Sequence, residues 1–142
     1  RVLSLDGVFQ TTDKDEFCYQ EAMAHTPAFL HPNPKKALII GGGDGGILRE
    51  LAKHASFTEL HICEIDGQVI EVSKKYMKKL SVGFADPRVI VHLEDGAAFM
   101  IDDLRYLQTH SLPGPHFIRY LTKPFALTTL SWQLGDGFVM IL

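Results

Sequence analysis

Six consecutive residues, Gly41-Gly42-Gly43-Asp44-Gly45-Gly46, constrain this chain more than any other feature. They follow a short, unbroken apolar run, Lys36 to Ile40 (K-A-L-I-I), and precede a segment with helical character, Ile47 to Lys53. A continuous apolar strand is what a sheet covered on both faces requires. A strand-to-helix turn without Cβ atoms lets a ligand lie directly against the backbone. Gly41, Gly43 and Gly46 satisfy the spacing G-x-G-x-x-G. The pattern then repeats: a strand over Glu59 to Ile65, a helix over Gln68 to Lys79, a turn at Asp86-Pro87, a strand over Val89 to Leu93 and a short helix around Ala97 to Ile101. Alternation of this kind predicts an α/β fold, a parallel sheet joined by right-handed crossovers. In the second helix Val69, Val72, Tyr76 and Leu80 form the expected apolar stripe, with Lys74, Lys75, Lys78 and Lys79 as a solvated face.

Before the glycine run, Arg1 to Gln10 reads as a hairpin turning at Asp6-Gly7. Asp15 is the expected N-cap of a helix reaching about Thr26, with Glu16 favoured in its first turn. His31-Pro32-Asn33-Pro34 is a breaker loop. After Ile101 periodicity fades; Phe125 to Trp132 allows a helix, Gly135-Asp136-Gly137 a turn, and Phe138 to Leu142 a strand. An apolar strand at the last residue is expected of a chain that continues. The 142 residues, 46% hydrophobic and 22% charged, suffice for one core. A net charge of −3 gives no bulk attraction to nucleic acid or to an anionic membrane. No apolar run approaches the roughly 20 residues of a spanning helix. No signal peptide is read at the start, and Cys18 and Cys63 make no disulfide framework, so a cytoplasmic protein is expected.

Two acids follow the loop at informative places. Glu64 ends the second strand about 20 residues on, where an acid accepts hydrogen bonds from ribose hydroxyls. Asp95 ends the third, placed to meet an adenine amino group. Asp44 discriminates between nucleotides. A dinucleotide would bring its pyrophosphate to this loop, and a carboxylate opposes a phosphate by several kcal/mol at roughly 4 Å and an effective dielectric of about 20. NAD is therefore the second choice. A cationic sulfonium nucleoside fits better, and decarboxylated S-adenosylmethionine better than the carboxylate-bearing parent.

The segments L-S-L-D-G-V-F-Q-T-T-D-K-D-E-F-C-Y-Q-E from Leu3, A-L-I-I-G-G-G-D-G-G-I-L-R-E, I-C-E-I-D and E-D-G resemble the polyamine aminopropyltransferase family of spermidine synthases, which includes spermine synthase and putrescine N-methyltransferase. The likeness is dense from Val2 to about Met100. It implies a Rossmann-like, methyltransferase-type sheet behind part of a small N-terminal β domain, with residues 1–30 as hairpin and linking helix and 31–142 as the nucleoside-binding domain, incomplete at its C-terminus. It implies transfer of an aminopropyl group from decarboxylated S-adenosylmethionine to putrescine, a homo-oligomer, and no resident cofactor or metal. By the same resemblance Gln10 and Asp44 hold the aminopropyl donor with Gly41 and Gly43 of the loop. Glu64 holds the ribose, Asp95 and Gly96 the adenine, and Tyr19 and Gln20 the diamine, Tyr19 also orienting the attacking amine.

The likeness breaks after Ile101. The family carries its catalytic base in a D-S-S-D-P-x-G-P loop. Here Ser111-Leu112-Pro113-Gly114-Pro115 keeps an echo, but no Asp or Glu occurs between Asp103 and Asp136. It resumes at Leu121-Thr122-Lys123-Pro124-Phe125 and at Gly135-Asp136-Gly137-Phe138-Val139, the latter like the family's fifth strand. About half of a typical member is expected to be represented. A shifted reading frame, a join across a gap and a degenerate paralogue each account for the break; the preserved flank spacing favours the first and third. His110 and His116 have a suitable intrinsic pKa for a base but read as loop residues, and the other histidines as scattered surface or strand positions. Three functions stay open: an active aminopropyltransferase, a pseudoenzyme that binds nucleoside or pairs with an active homologue, and a putrescine N-methyltransferase.

Overall fold

The computed structural model describes residues 1–100, 132–134 and 138–141. Strands β1 (Val2–Leu5) and β2 (Val8–Thr12) form a two-stranded antiparallel sheet. Asp6 and Gly7 both take positive φ, 50° and 79°, the conformation a two-residue hairpin turn demands. Helix α1 (Glu16–Leu30) follows. It runs past the expected end at Thr26 and carries Pro27 inside it. Proline costs a helix one backbone bond, but Met23, Ala24, Pro27 and Ala28 form its buried face, and that burial outweighs the local penalty. Asp15 precedes α1 without capping it; its carboxylate is taken instead by the Thr12 hydroxyl.

The main sheet comprises β3 (Lys36–Ile40), β4 (Glu59–Cys63), β5 (Val89–His92), β6 (Trp132–Leu134) and β7 (Phe138–Ile141), in the order β5-β4-β3-β7-β6. β5, β4, β3 and β7 are parallel and β6 is antiparallel to β7. The α/β class predicted by the alternation is the one observed. β4 and β5 end slightly earlier than predicted, which puts Glu64 and Asp95 just beyond them. The strand predicted over 138–142 forms, yet it pairs directly with β3, Lys36 opposite Phe138 through Ile39 opposite Ile141. A segment that resembles a fifth strand thus lies where a doubly wound sheet puts its fourth. β3 is apolar on both faces, and β7 supplies the partner its open edge needs. The helix predicted over Phe125 to Trp132 lies outside the described residues except Trp132, which is in β6.

Between the strands lie α2 (Gly46–Ala52), α3 (Gly67–Tyr76) and a 3-10 turn (Ser81–Ala85). On one sheet face Ala37, Ile39, Leu60, Ile62, Val139 and Ile141 pack with Met23, Ala24 and Ala28 of α1 and Ile47, Leu48 and Leu51 of α2. On the other, Leu38 and Cys63 meet Ile40, Phe99 and Met100; residues 96–100 are helical. The stripe predicted for α3 is corrected. Ile70, Ser73, Met77 and Leu80 are buried, whereas Val72 and Tyr76 are exposed. Ser73 fits because it is small and its carbonyl accepts from the Ser81 hydroxyl at 3.3 Å. Arg88 closes the end of α2, donating to the carbonyls of Ala52 at 2.6 Å, His54 at 2.9 Å and Phe57 at 3.0 Å. These are orphan acceptors of the kind a helix end leaves. No helix among the described residues is long and apolar enough to cross a membrane.

Candidate functional site at the carboxyl edge of the sheet

The glycine loop reaches its shape through positive φ at Gly41, Gly42 and Gly45, near 80°, 73° and 82°. L-residues rarely adopt that region. Gly41 donates to the Cys63 carbonyl at 2.8 Å, which ties the loop to the end of β4. Gly43 sits so close to Glu64 that a Cβ would fall 2.8 Å from Glu64 Oε2. Its amide donates to that oxygen at 3.0 Å, and the Asp66 amide donates to Glu64 Oε1 at 3.1 Å. Glu64 is buried, and each of its oxygens keeps a lone pair for a ligand hydroxyl. Asp95 stands beyond β5, its Oδ1 accepting from the amides of Ala97 at 2.7 Å and Ala98 at 3.2 Å. Because β3, β4 and β5 are neighbours, the glycine loop, Glu64 and Asp95 stand in that order along one sheet edge. Gly96 packs there on Ile40, leaving no room for a Cβ.

Asp44 turns toward α1 and α2. Its Oδ1 accepts from the Gly46 amide at 2.7 Å and its Oδ2 from Gln20 Nε2 at 3.2 Å. Burial pushes its carboxyl above the ordinary value; the Gly46 amide, Gln20 and Arg49 pull it down and Glu16 pushes it up. Gln20 is 3% exposed, and its Oε1 meets no donor among the described residues. A cleft of about 520 Å³ opens here between β2, α1 and the loop, lined by residues that include Gln10, Tyr19, Gln20 and Asp44. Four residues named from the sequence for donor and diamine therefore meet in one space. Gln10 is exposed and donates to the Val8 carbonyl at 3.3 Å. Tyr19 is 53% exposed.

Sequence reasoning missed several features. Glu16 also lines the cleft, and Arg49 grips it through both oxygens at 3.0 and 2.9 Å. The motif D-E-F followed by L-R-E contains the signal, but nothing in it says that the two charges meet. The histidines are not scattered. His25 Nδ1 lies 2.8 Å from His54 Nε2, and His25 Nε2 lies 3.1 Å from the buried Glu50. His61 and His92 meet at 3.0 Å across β4 and β5, and His31 is buried. No group of three metal-ligating side chains is placed to hold an ion among the described residues. His110, His116 and the acid-free segment lie outside those residues.

The fold defines an α/β domain of methyltransferase type. Comparison with known sequences narrows the class. The family described as the spermine/spermidine synthase domain matches residues 16–108. The polyamine aminopropyltransferase of Thermotoga petrophila is 58% identical over 99 residues, covering 70% of this chain and 33% of that protein. The spermidine synthase of Coffea arabica is 55% identical over 100 residues, 70% of this chain and 32% of that one. A crystal structure of spermidine synthase in complex with the transition state analogue AdoDATO superimposes with a TM-score of 0.70 at 55% identity, over 71% of this chain and 35% of that one. The chain belongs to the spermine/spermidine synthase family. It spans about a third of the length of the curated relatives it matches, rather than the half expected from its motifs.

Proposed function

We propose that this chain carries the donor and acceptor sites of a spermidine synthase-type aminopropyltransferase, with decarboxylated S-adenosylmethionine and putrescine as the two substrates. The observation that carries the reading is the single cleft shared by Gln10, Tyr19, Gln20 and Asp44. Both substrates are cations, and an acid-lined cleft holds cations in line for displacement. In the reaction the amine nitrogen attacks the carbon next to sulfur, the carbon–sulfur bond breaks, methylthioadenosine leaves and the amine loses a proton. In this reading Asp44 and Gln10 hold the aminopropyl arm, Gly41 and Gly43 give the backbone approach, and Glu64 takes the ribose. Asp95 with Gly96 meets the adenine, and Tyr19 and Gln20 align the diamine. The same proposal divides the chain into residues 1–30, a hairpin and linking helix, and residues 31–142, the nucleoside-binding unit. It also assigns a cytoplasmic setting, consistent with two free cysteines, and a homo-oligomer, consistent with a hairpin that leaves Phe9 76% exposed.

The acid-free stretch from residue 104 to 135 favours a second reading, a chain that binds but does not turn over. Loss of a general base typically costs about 10²–10⁴-fold. Two measurements separate the readings. Calorimetry with 5′-methylthioadenosine tests the nucleoside site, and transfer from labelled decarboxylated S-adenosylmethionine to putrescine tests the chemistry. Binding with transfer supports the enzyme. Binding without transfer supports the pseudoenzyme. No binding removes both.

A further inference from the structure

We propose that Arg49 and Glu16 are a charge-setting pair of positioning residues: Arg49 cancels the Glu16 carboxylate, so that Asp44 meets the cationic ligand as an ionised group. The inference rests on the aminopropyltransferase reading for the ligand's charge but not for the pair itself. Glu16 and Asp44 line the same cleft. Both Glu16 oxygens are committed to Arg49, at 3.0 and 2.9 Å. This bidentate geometry is the strongest form of a carboxylate–guanidinium pair. Asp44 is differently engaged, each oxygen taking one neutral N–H. One carboxylate is thus neutralised and the other remains available. Arg49 is itself oriented from behind, donating through Nε to Glu50 at 2.7 Å and through Nη1 to the Lys79 carbonyl at 3.3 Å. Glu50 is only 1% exposed and is shared with Lys53 and His25.

Two uncompensated carboxylates in one partly desolvated space would oppose each other's ionisation. The directions at Asp44 agree: Glu16 raises its carboxyl and Arg49 lowers it. The other titratable groups lining the cleft are Asp15, Cys18 and Tyr19, from α1 and the turn before it; Phe9 to Thr12 of β2 contribute none. Behind Arg49 stand Glu50, Lys53 and His25.

The test is a carbon-13 titration of the Asp44 carboxyl in the ligand-free chain by NMR, for the wild type and for Glu16→Gln, Arg49→Lys and Arg49→Met. The pair predicts opposite movements: the Asp44 midpoint falls in Glu16→Gln, rises in Arg49→Met and stays in Arg49→Lys, which keeps the charge. A pair that merely pins α1 to α2 would move it in the same direction, or not at all, in both neutralised variants, and that result overturns the proposal. Arg49→Met strands Glu50 as well as Glu16 and risks unfolding. In that event the fall in Glu16→Gln and the constancy in Arg49→Lys decide, and absence of the fall overturns the proposal. A second arm measures binding of decarboxylated S-adenosylmethionine, whose aminopropyl ammonium is the cation assigned to Asp44. Glu16→Gln exposes the ligand to an uncompensated guanidinium and is expected to weaken binding about tenfold, near 1.4 kcal/mol. A wild type that binds no decarboxylated S-adenosylmethionine while the titrations behave as predicted defeats the aminopropyltransferase reading and leaves the charge-setting pair standing.

Discussion

Replacing Gly46 with alanine tests whether the α1–α2 contact and the cleft are one construction. A Cβ at Gly46 would stand 2.3 Å from Gln20 Cδ and 2.5 Å from Gln20 Nε2. The obstacle is the end of a side chain, so Gln20 yields rather than the backbone. Gln20 is buried, however, and its movement breaks the 3.2 Å bond to Asp44 Oδ2. Overpacking costs about 1–3 kcal/mol. A hydrogen bond to a charged acceptor is worth about 1.5–3 kcal/mol. Alanine returns up to about 1 kcal/mol of helix propensity. The net expectation is a loss of about 1.5–6 kcal/mol, read from urea unfolding. In a Gln20→Ala background both the clash and the bond are gone, so the same substitution should be neutral or stabilise by up to about 1 kcal/mol. Such a coupling is what a double-mutant cycle isolates. Equal destabilisation in both backgrounds would refute the reasoning. Gly83→Ala provides the contrast: its Cβ would meet the Arg49 backbone nitrogen at 2.7 Å and Cα at 2.8 Å. Backbone cannot swing aside, so Gln20→Ala should give no rescue there.

Two further outcomes are expected. The Arg88 guanidinium and amide beside Asp86 hold its carboxyl at about 2, against 3.8. A folded-state value below the unfolded one gives stability that is full above about pH 4 and lost as pH falls through 2, about 2 kcal/mol in all. Asp86→Asn should flatten that part of the acid limb in urea midpoints measured against pH, and parallel curves for the two proteins would contradict it. At Asp95, alanine removes an acceptor for the Ala97 and Ala98 amides and should cost about 1 kcal/mol in thermal unfolding. Asn should keep most of that stability while losing 5′-methylthioadenosine affinity in calorimetry.

Legibility in the sequence followed the physics of each element. The apolar run of β3 and the glycines after it allow one reading, because a covered strand and a turn with positive φ have few other compositions. The buried face of α3 was misread because Val69-Val72-Tyr76 and Ile70-Ser73-Met77 offer competing helical stripes, and hydrophobicity favours the first. The choice is made by the 3-10 turn, whose Ser81 packs on Ser73. α1 outran its predicted end because the burial of Pro27 and Ala28 is a tertiary fact. The Glu16–Arg49 and His25–His54 contacts join residues 33 and 29 positions apart, and local patterning holds no information at that range. Gln10 and Tyr19 are reached only through a family resemblance, since an exposed glutamine and tyrosine have no signature of their own, whereas Asp44 is marked by its charge inside the glycine loop.

Glu64 has a consequence for recognition. Its two oxygens are each fixed by one amide, of Gly43 and of Asp66, so in the proposed nucleoside site the directions of the remaining lone pairs are set before a sugar arrives. Discrimination between ribose and a deoxy-sugar at this edge would then come from a rigid template, with little side-chain freedom left to freeze on association. Such a site should bind with a favourable enthalpy and a small conformational-entropy penalty, even in a chain that performs no chemistry.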